Sequence, residues 1–76
     1  MLIAEHEQVV LTEDLPEHGL RRGDVGVVVM VHGTRGYEVV FVTFGGQTVA
    51  VVSLASSKVR RANDREMPHV RPMDAV

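Results

Sequence analysis

At 76 residues the chain has room for one domain, which buries only about 60–65% of the surface its unfolded form exposes. It has no cysteine, which excludes a disulfide framework, thiolate metal ligands and thiol nucleophiles, so stability must come from apolar packing. Apolar residues make up 45% of the chain, too many for a disordered one, and the net charge is −2.

The opening MLIAEHEQ holds a short apolar run with no basic segment before it, so no signal peptide is read there. The longest apolar run, Val27 to Val31, falls far short of a membrane span. The expectation is a cytoplasmic protein that does not enter a membrane. β-Branched runs between turn signals dominate, and valine suits a pleated, half-buried surface.

The pattern predicts a first strand over Glu7 to Leu11 and then a polar loop, Thr12 to Gly23, in which Pro16 excludes a central strand. A second strand covers Val25 to His32, and Gly33 to Gly36 turns the chain. A third, Tyr37 to Thr43, leads into Gly45-Gly46, a strong hairpin signal, and a fourth runs from Gln47 to Ser53. Leu54 to Ser57 reads as a short 3₁₀ turn and Lys58 to Arg61 as a short last strand. Asn63 to Val76 is polar, with Pro68 and Pro72. Together these predict an all-β fold, a small five-stranded SH3-like barrel over residues 7–61. An N-terminal extension (1–6) precedes it and a polar C-terminal tail (62–76) follows. Closing the sheet would remove its edges, and Gly26, one residue inside a strand, is expected to mark a bulge or sharp bend.

Strand residues alternate between faces, and Phe41 marks the interior face of the third strand. Two hairpin registers compete. A three-residue loop (Phe44 to Gly46) pairs Phe41 with Val49 and Val39 with Val51. A two-residue glycine loop pairs Phe41 with Ala50 and Val39 with Val52. The first is preferred because it sends Thr48 and Ala50 outward. In either register Val28, Met30, Val40 and Val42 are expected on the outer face, which should be polar in a half-solvated sheet. Three explanations compete for this apolar surplus. Strong coiling could fold the face over the core, a partner or second copy could cover it, or the tail could fold back over it with Met67, Val70 and Met73.

Charge is uneven along the chain: −4 over residues 1–24, zero over 25–55 and +2 over 56–76. The ends are read either as solvated faces or as complementary surfaces for a partner or second copy. The four histidines, His6, His18, His32 and His69, lie in separate segments without metal-ligand spacing. No nucleophile–base pair stands out, so no enzyme, no metal and no cofactor are expected.

The run GLRRGDVGVVVMV, Gly19 to Val31, resembles the KOW motif of ribosomal and transcription-elongation barrels. That resemblance implies nucleic-acid contacts by Arg21, Arg22, Lys58, Arg60 and Arg61. Only Tyr37, Phe41 and Phe44 could stack on bases, and acids crowd the first loop. Over Gln8 to Arg60, the stretches VVLTEDLPEHGLRRGDVGVVV, YEVVFV and GGQTVAVVSLASSKVR resemble a family of short bacterial proteins known only as a domain of unknown function. Its recurrent Gly-Leu-basic-Gly-Asp-x-Gly pattern lies in Gly19–Gly26. The position of Val40 is commonly acidic in that family and that of Thr43 is often Asp, so this chain is the more apolar outside. The resemblance implies an SH3-like barrel, often encoded beside other small proteins in arrangements that look like toxin–antitoxin or immunity pairs.

The resulting expectation is a non-enzymatic protein-interaction module, antitoxin- or immunity-like or self-associating. Its contacts would be Val28, Met30, Val40 and Val42, and its partner a protein or a second copy. The alternative is a KOW-like nucleic-acid binder.

Overall fold

A computed structural model describes residues 3–73; the first two residues of the N-terminal extension and the last three of the tail lie outside the described residues. Five strands, β1 (Gln8–Leu11), β2 (Val25–His32), β3 (Gly36–Val42), β4 (Thr48–Ala55) and β5 (Val59–Arg61), form one antiparallel sheet in the order β4-β3-β2-β1-β5. A 3₁₀ turn precedes β5 as the sequence predicts, but at Ser56–Lys58, because β4 continues through Leu54 and Ala55, and a second, Pro16–His18, shapes the first loop. The expected closure into a barrel is not made. β5 has only three residues, all paired with β1, so β4 and β5 remain the two ends of the sheet.

The interior is nevertheless single. Val9 and Leu11 of β1, Val28 of β2, Tyr37, Val39 and Phe41 of β3, Val52 and Leu54 of β4 and Val59 of β5 all join one buried cluster. Ile3, Leu15 and Leu20 complete it from outside the sheet, and the Ile3 N–H faces the Tyr37 hydroxyl at 3.4 Å. Each fully buried Val or Phe side chain contributes about 1.5–3 kcal/mol.

Gly26 makes this packing possible in a different way from the expected bend. It is buried with no register shift beside it, and a Cβ there would stand 2.5 Å from Val39 Cγ1 and 2.8 Å from Phe41 Cε1. The missing side chain is the space those two residues occupy.

The bulge lies three residues further on, at Val29, which has no opposite residue between the pairs Val28↔Val39 and Met30↔Glu38. This corrects the expectation for Val28. Standing opposite Val39, it shares the inner face and is fully buried. The extra residue then resets the alternation, so Val29 and Met30 are both exposed while Val31 turns back against the core.

The β3–β4 hairpin combines the two competing registers. At its tip, Thr43 N–H donates to Gln47 C=O (2.8 Å) and Gly46 N–H to Thr43 C=O (3.0 Å), with Gly46 at φ 89°, which makes a three-residue loop. Val42 pairs with Thr48, but the next pair is Phe41↔Ala50, leaving Val49 as a second bulge. Along the rest of the hairpin Val39 therefore pairs with Val52, not with Val51, and the preferred register holds only at the tip. Ala50 packs against the core instead of pointing out.

The Gly26–Val39 contact generates a test. Gly26→Ala is expected to destabilise the domain by about 1–3 kcal/mol through overpacking. In a Val39→Ala background it should cost less, because the nearer of the two side chains in the way of the new methyl group is removed while Phe41 remains. Urea unfolding of the four variants measures this coupling, and additive effects would contradict the account.

Candidate functional site

The cross-strand register places the outer side chains in rows. One row crosses four strands as Gln8–Val27–Val40–Val51, with Val10–Val25 and Val42–Thr48 on the same face. Val27 and Val40 are half-buried, whereas Met30, Val42 and Val51 are about half exposed, at 48%, 52% and 53%. Three of the four residues expected outside, Met30, Val40 and Val42, therefore stand together there, and Val28 does not. Val27, Val29 and Val51 join them. The signal for Val29 and Val51 is their strand alternation, but reading it requires a bulge and a cross-strand register. At one end of the face, His32 Nε2 lies 3.4 Å from Glu38 Oε2.

The tail returns to the margin of this face. Arg71 donates from Nε to Asp24 Oδ1 (3.0 Å) and from Nη2 to both Asp24 Oδ2 (2.5 Å) and the Gly19 carbonyl (3.1 Å). A groove of about 680 Å³ results, with Val25, Val27, Val40 and Val42 facing Val70 and Met73. The tail does not seal the face, since Met67 is 88% exposed and Val70 66%.

Asp24 holds the tail and also the turn that leads into β2. Its Oδ2 accepts the Arg21 N–H at 2.8 Å, while Asp24 N–H donates to the Arg21 carbonyl at 2.9 Å. Burial pushes its carboxyl up, but the hydrogen bonds from Arg71 and Arg21 outweigh burial and hold it below the usual range. The whole Gly19–Gly26 segment is explained by folding in the same way. Gly19 ends the 3₁₀ turn at φ 68°, Leu20 is buried and exchanges hydrogen bonds with Leu15, and Gly23 N–H donates to Leu11 C=O. Arg22 N–H donates to Asp14 Oδ1 at 2.7 Å.

The five cations expected to meet nucleic acid do not form an open basic patch. Lys58 Nζ is 2.7 Å from Glu13, Arg61 Nε 2.7 Å from Glu7, and Arg60 Nη2 2.6 Å from Glu66. The Arg60 guanidinium, and after it the Asn63 N–H, hold the Glu66 carboxyl down to about 2. Glu7 is lowered first by the Ala4 N–H and then by Arg61. Of the five, only Arg21 and Arg22 carry exposed side chains without an ion pair among the described residues. Three of these pairs, Lys58–Glu13, Arg61–Glu7 and Arg71–Asp24, join the acidic first third to the basic last third within one chain. Among the described residues no group of three His, Asp or Glu side chains is placed to hold a metal ion.

A family model described as Domain of unknown function (DUF4926) matches residues 5–61, and the chain belongs to that family. No curated protein and no solved structure matches it.

The Arg71–Asp24 bond makes tail docking depend on pH. Because Asp24 titrates lower when folded, this contribution is present above the ordinary Asp pKa of about 3.9 and is lost as pH falls through the lowered value. Methyl NMR of Met73 is expected to report release only below pH ~4 in the wild type. Arg71→Gln should give the released spectrum at every pH with the strand signals unchanged. A docked Met73 in that variant would exclude this role for Arg71.

Proposed function

We propose that this DUF4926 domain is a non-enzymatic, cytoplasmic protein-interaction module that docks a partner protein on its outer sheet face. What supports the reading is the row Val27–Val40–Val51 together with Val29, Met30 and Val42, a contiguous and half-exposed apolar surface. Small soluble domains rarely leave such a patch unless it meets something. Its rim carries Glu38, Thr48 and Ser53, so an apolar centre is framed by polar groups as at protein interfaces. The finer form of the proposal is a neutraliser of antitoxin or immunity type, whose partner is a protein that the domain blocks. Arg21 and Arg22, adjacent and exposed on their turn, support a nucleic-acid contact as the second reading.

One experiment separates the two. Host extract is passed over the wild type, Val40→Glu, and Arg21→Glu/Arg22→Glu. A protein held by the wild type and the double arginine variant, but lost with Val40→Glu at nearly unchanged thermal stability, is the expected result. Because Val40 is half-buried, Val42→Glu at its more exposed neighbour serves as a second variant, where the change in stability is expected within about 0.5 kcal/mol. Nucleic acid that is held by the wild type, lost with the arginine variant and released by salt would favour the second reading. A protein bound equally by Val40→Glu would remove the outer face from consideration.

A further inference from the structure

The two ends of the sheet differ sharply. β5 is three residues long and two of them are Arg60 and Arg61, short and charged as protected edges usually are. β4 has eight residues, TVAVVSLA, with no charge, no proline and no glycine. Its bulge at Val49 disturbs only the end next to the hairpin loop.

Backbone groups in an antiparallel ladder point alternately toward and away from the neighbouring strand. Ser56 N–H donates to the Arg35 carbonyl at 3.1 Å. Stepping from that pair through Tyr37↔Leu54, Val39↔Val52 and Phe41↔Ala50 leaves Val51, Ser53 and Ala55 with their N–H and C=O groups turned away from β3. Among the described residues nothing outside the β3–β4 ladder hydrogen-bonds to the β4 backbone, and the side chains of Val51, Ser53 and Ala55 are exposed.

We propose that β4 pairs with β4 of a second copy of this chain, antiparallel about a two-fold axis through Ser53, so that the two sheets become one. Ser53 lies opposite the partner's Ser53, and Val51 opposite the partner's Ala55, each pair exchanging both of its N–H···O bonds. On the inner face Val52 meets the partner's Leu54. The segment is thus its own complement, with apolar side chains beside apolar ones and hydroxyl beside hydroxyl. A two-fold axis brings like charges together, which is what normally prevents self-pairing. Here no charge occurs from Thr48 to Ser57, and the first one beyond, Lys58, is held by Glu13. This interface uses the backbone edge of β4, whereas the outer-face reading uses side chains, and the two adjoin at Val51 and Ser53.

The chain has no cysteine, so Ser53→Cys gives an unambiguous probe. Hydrogen-bonded pairs place their Cα atoms about 5.5 Å apart, within disulfide range. Mild oxidation is expected to convert Ser53→Cys to a covalent dimer, and Ala55→Cys, whose symmetry mate lies well beyond reach, should stay monomeric. Light scattering of the wild type at about 100 µM should give the dimer mass, since micromolar affinity leaves little monomer at that concentration. Ser53→Lys sets two ammonium groups against each other and should give a monomer with an unchanged circular dichroism spectrum. A monomeric wild type, or cross-linking of Ser53→Cys no better than that of Ala55→Cys, would overturn the proposal. Val42→Glu, on the outer face of β3 and away from the β4 edge, should keep the dimer mass, so the two ideas fail separately.

Discussion

A five-stranded sheet this small, without a disulfide, can hold together only if all its strands fill one interior. That depends on how closely β2 and β3 approach each other. Gly26 sets that approach. Because it has no side chain, Val39 and Phe41 occupy the space beneath it, and both are almost completely buried. The rest of the core is assembled around this contact, with Val28 beside Val39, Leu20 from the first loop and Val59 from the last strand. The bulge at Val29 has the complementary task. It lets Val31 re-enter the core after Val28 has done so, while leaving Val29 and Met30 in solvent. The apolar outer surface is therefore partly a consequence of how the inside was packed.

The uneven charge is resolved within the molecule. Acids from the first third meet cations from the last third in three ion pairs, one of which ties the tail to the turn before β2. Exposed ion pairs add little to stability, typically under about 1 kcal/mol each. Their effect is positional. They lay the chain ends against the first loop and the β1 margin, where those acids lie. They also occupy Lys58 and Arg61, two of the five cations that an anionic polymer would meet, and leave Arg21 and Arg22 open. The pairing of the charged ends is one reason why the proposed docking surface is the apolar face.

Two surfaces remain with unmet capacity, and they adjoin at Val51. Its side chain stands on the outer face, while its N–H and C=O belong to the free edge of β4. Side-chain burial would satisfy the first and backbone hydrogen bonding the second. Pairing the edges would align the outer rows of two copies into one broader apolar band. A protein docked there could span both copies.

Much of the fold is legible in the sequence. The succession of strands along the chain, the turn before the last one and the hairpin at Gly45-Gly46 follow from β-branched runs interrupted by glycine and proline, since those local preferences act within a few residues. Phe41 as an interior residue and Met30, Val40 and Val42 as outer ones follow from alternation. Side-chain direction across strands is not legible. A period of two is reversed by one unpaired residue, and whether Val29 or Val49 is unpaired depends on which residues stand opposite them. Alternation alone puts Val28 on the wrong face for this reason, and the hairpin needs two registers instead of one. Pairing of the chain ends and the open edge at β4 likewise depend on contacts between residues far apart in sequence. Composition records that such charges and valines exist, but only the tertiary structure decides which of them meet and which are left for something else.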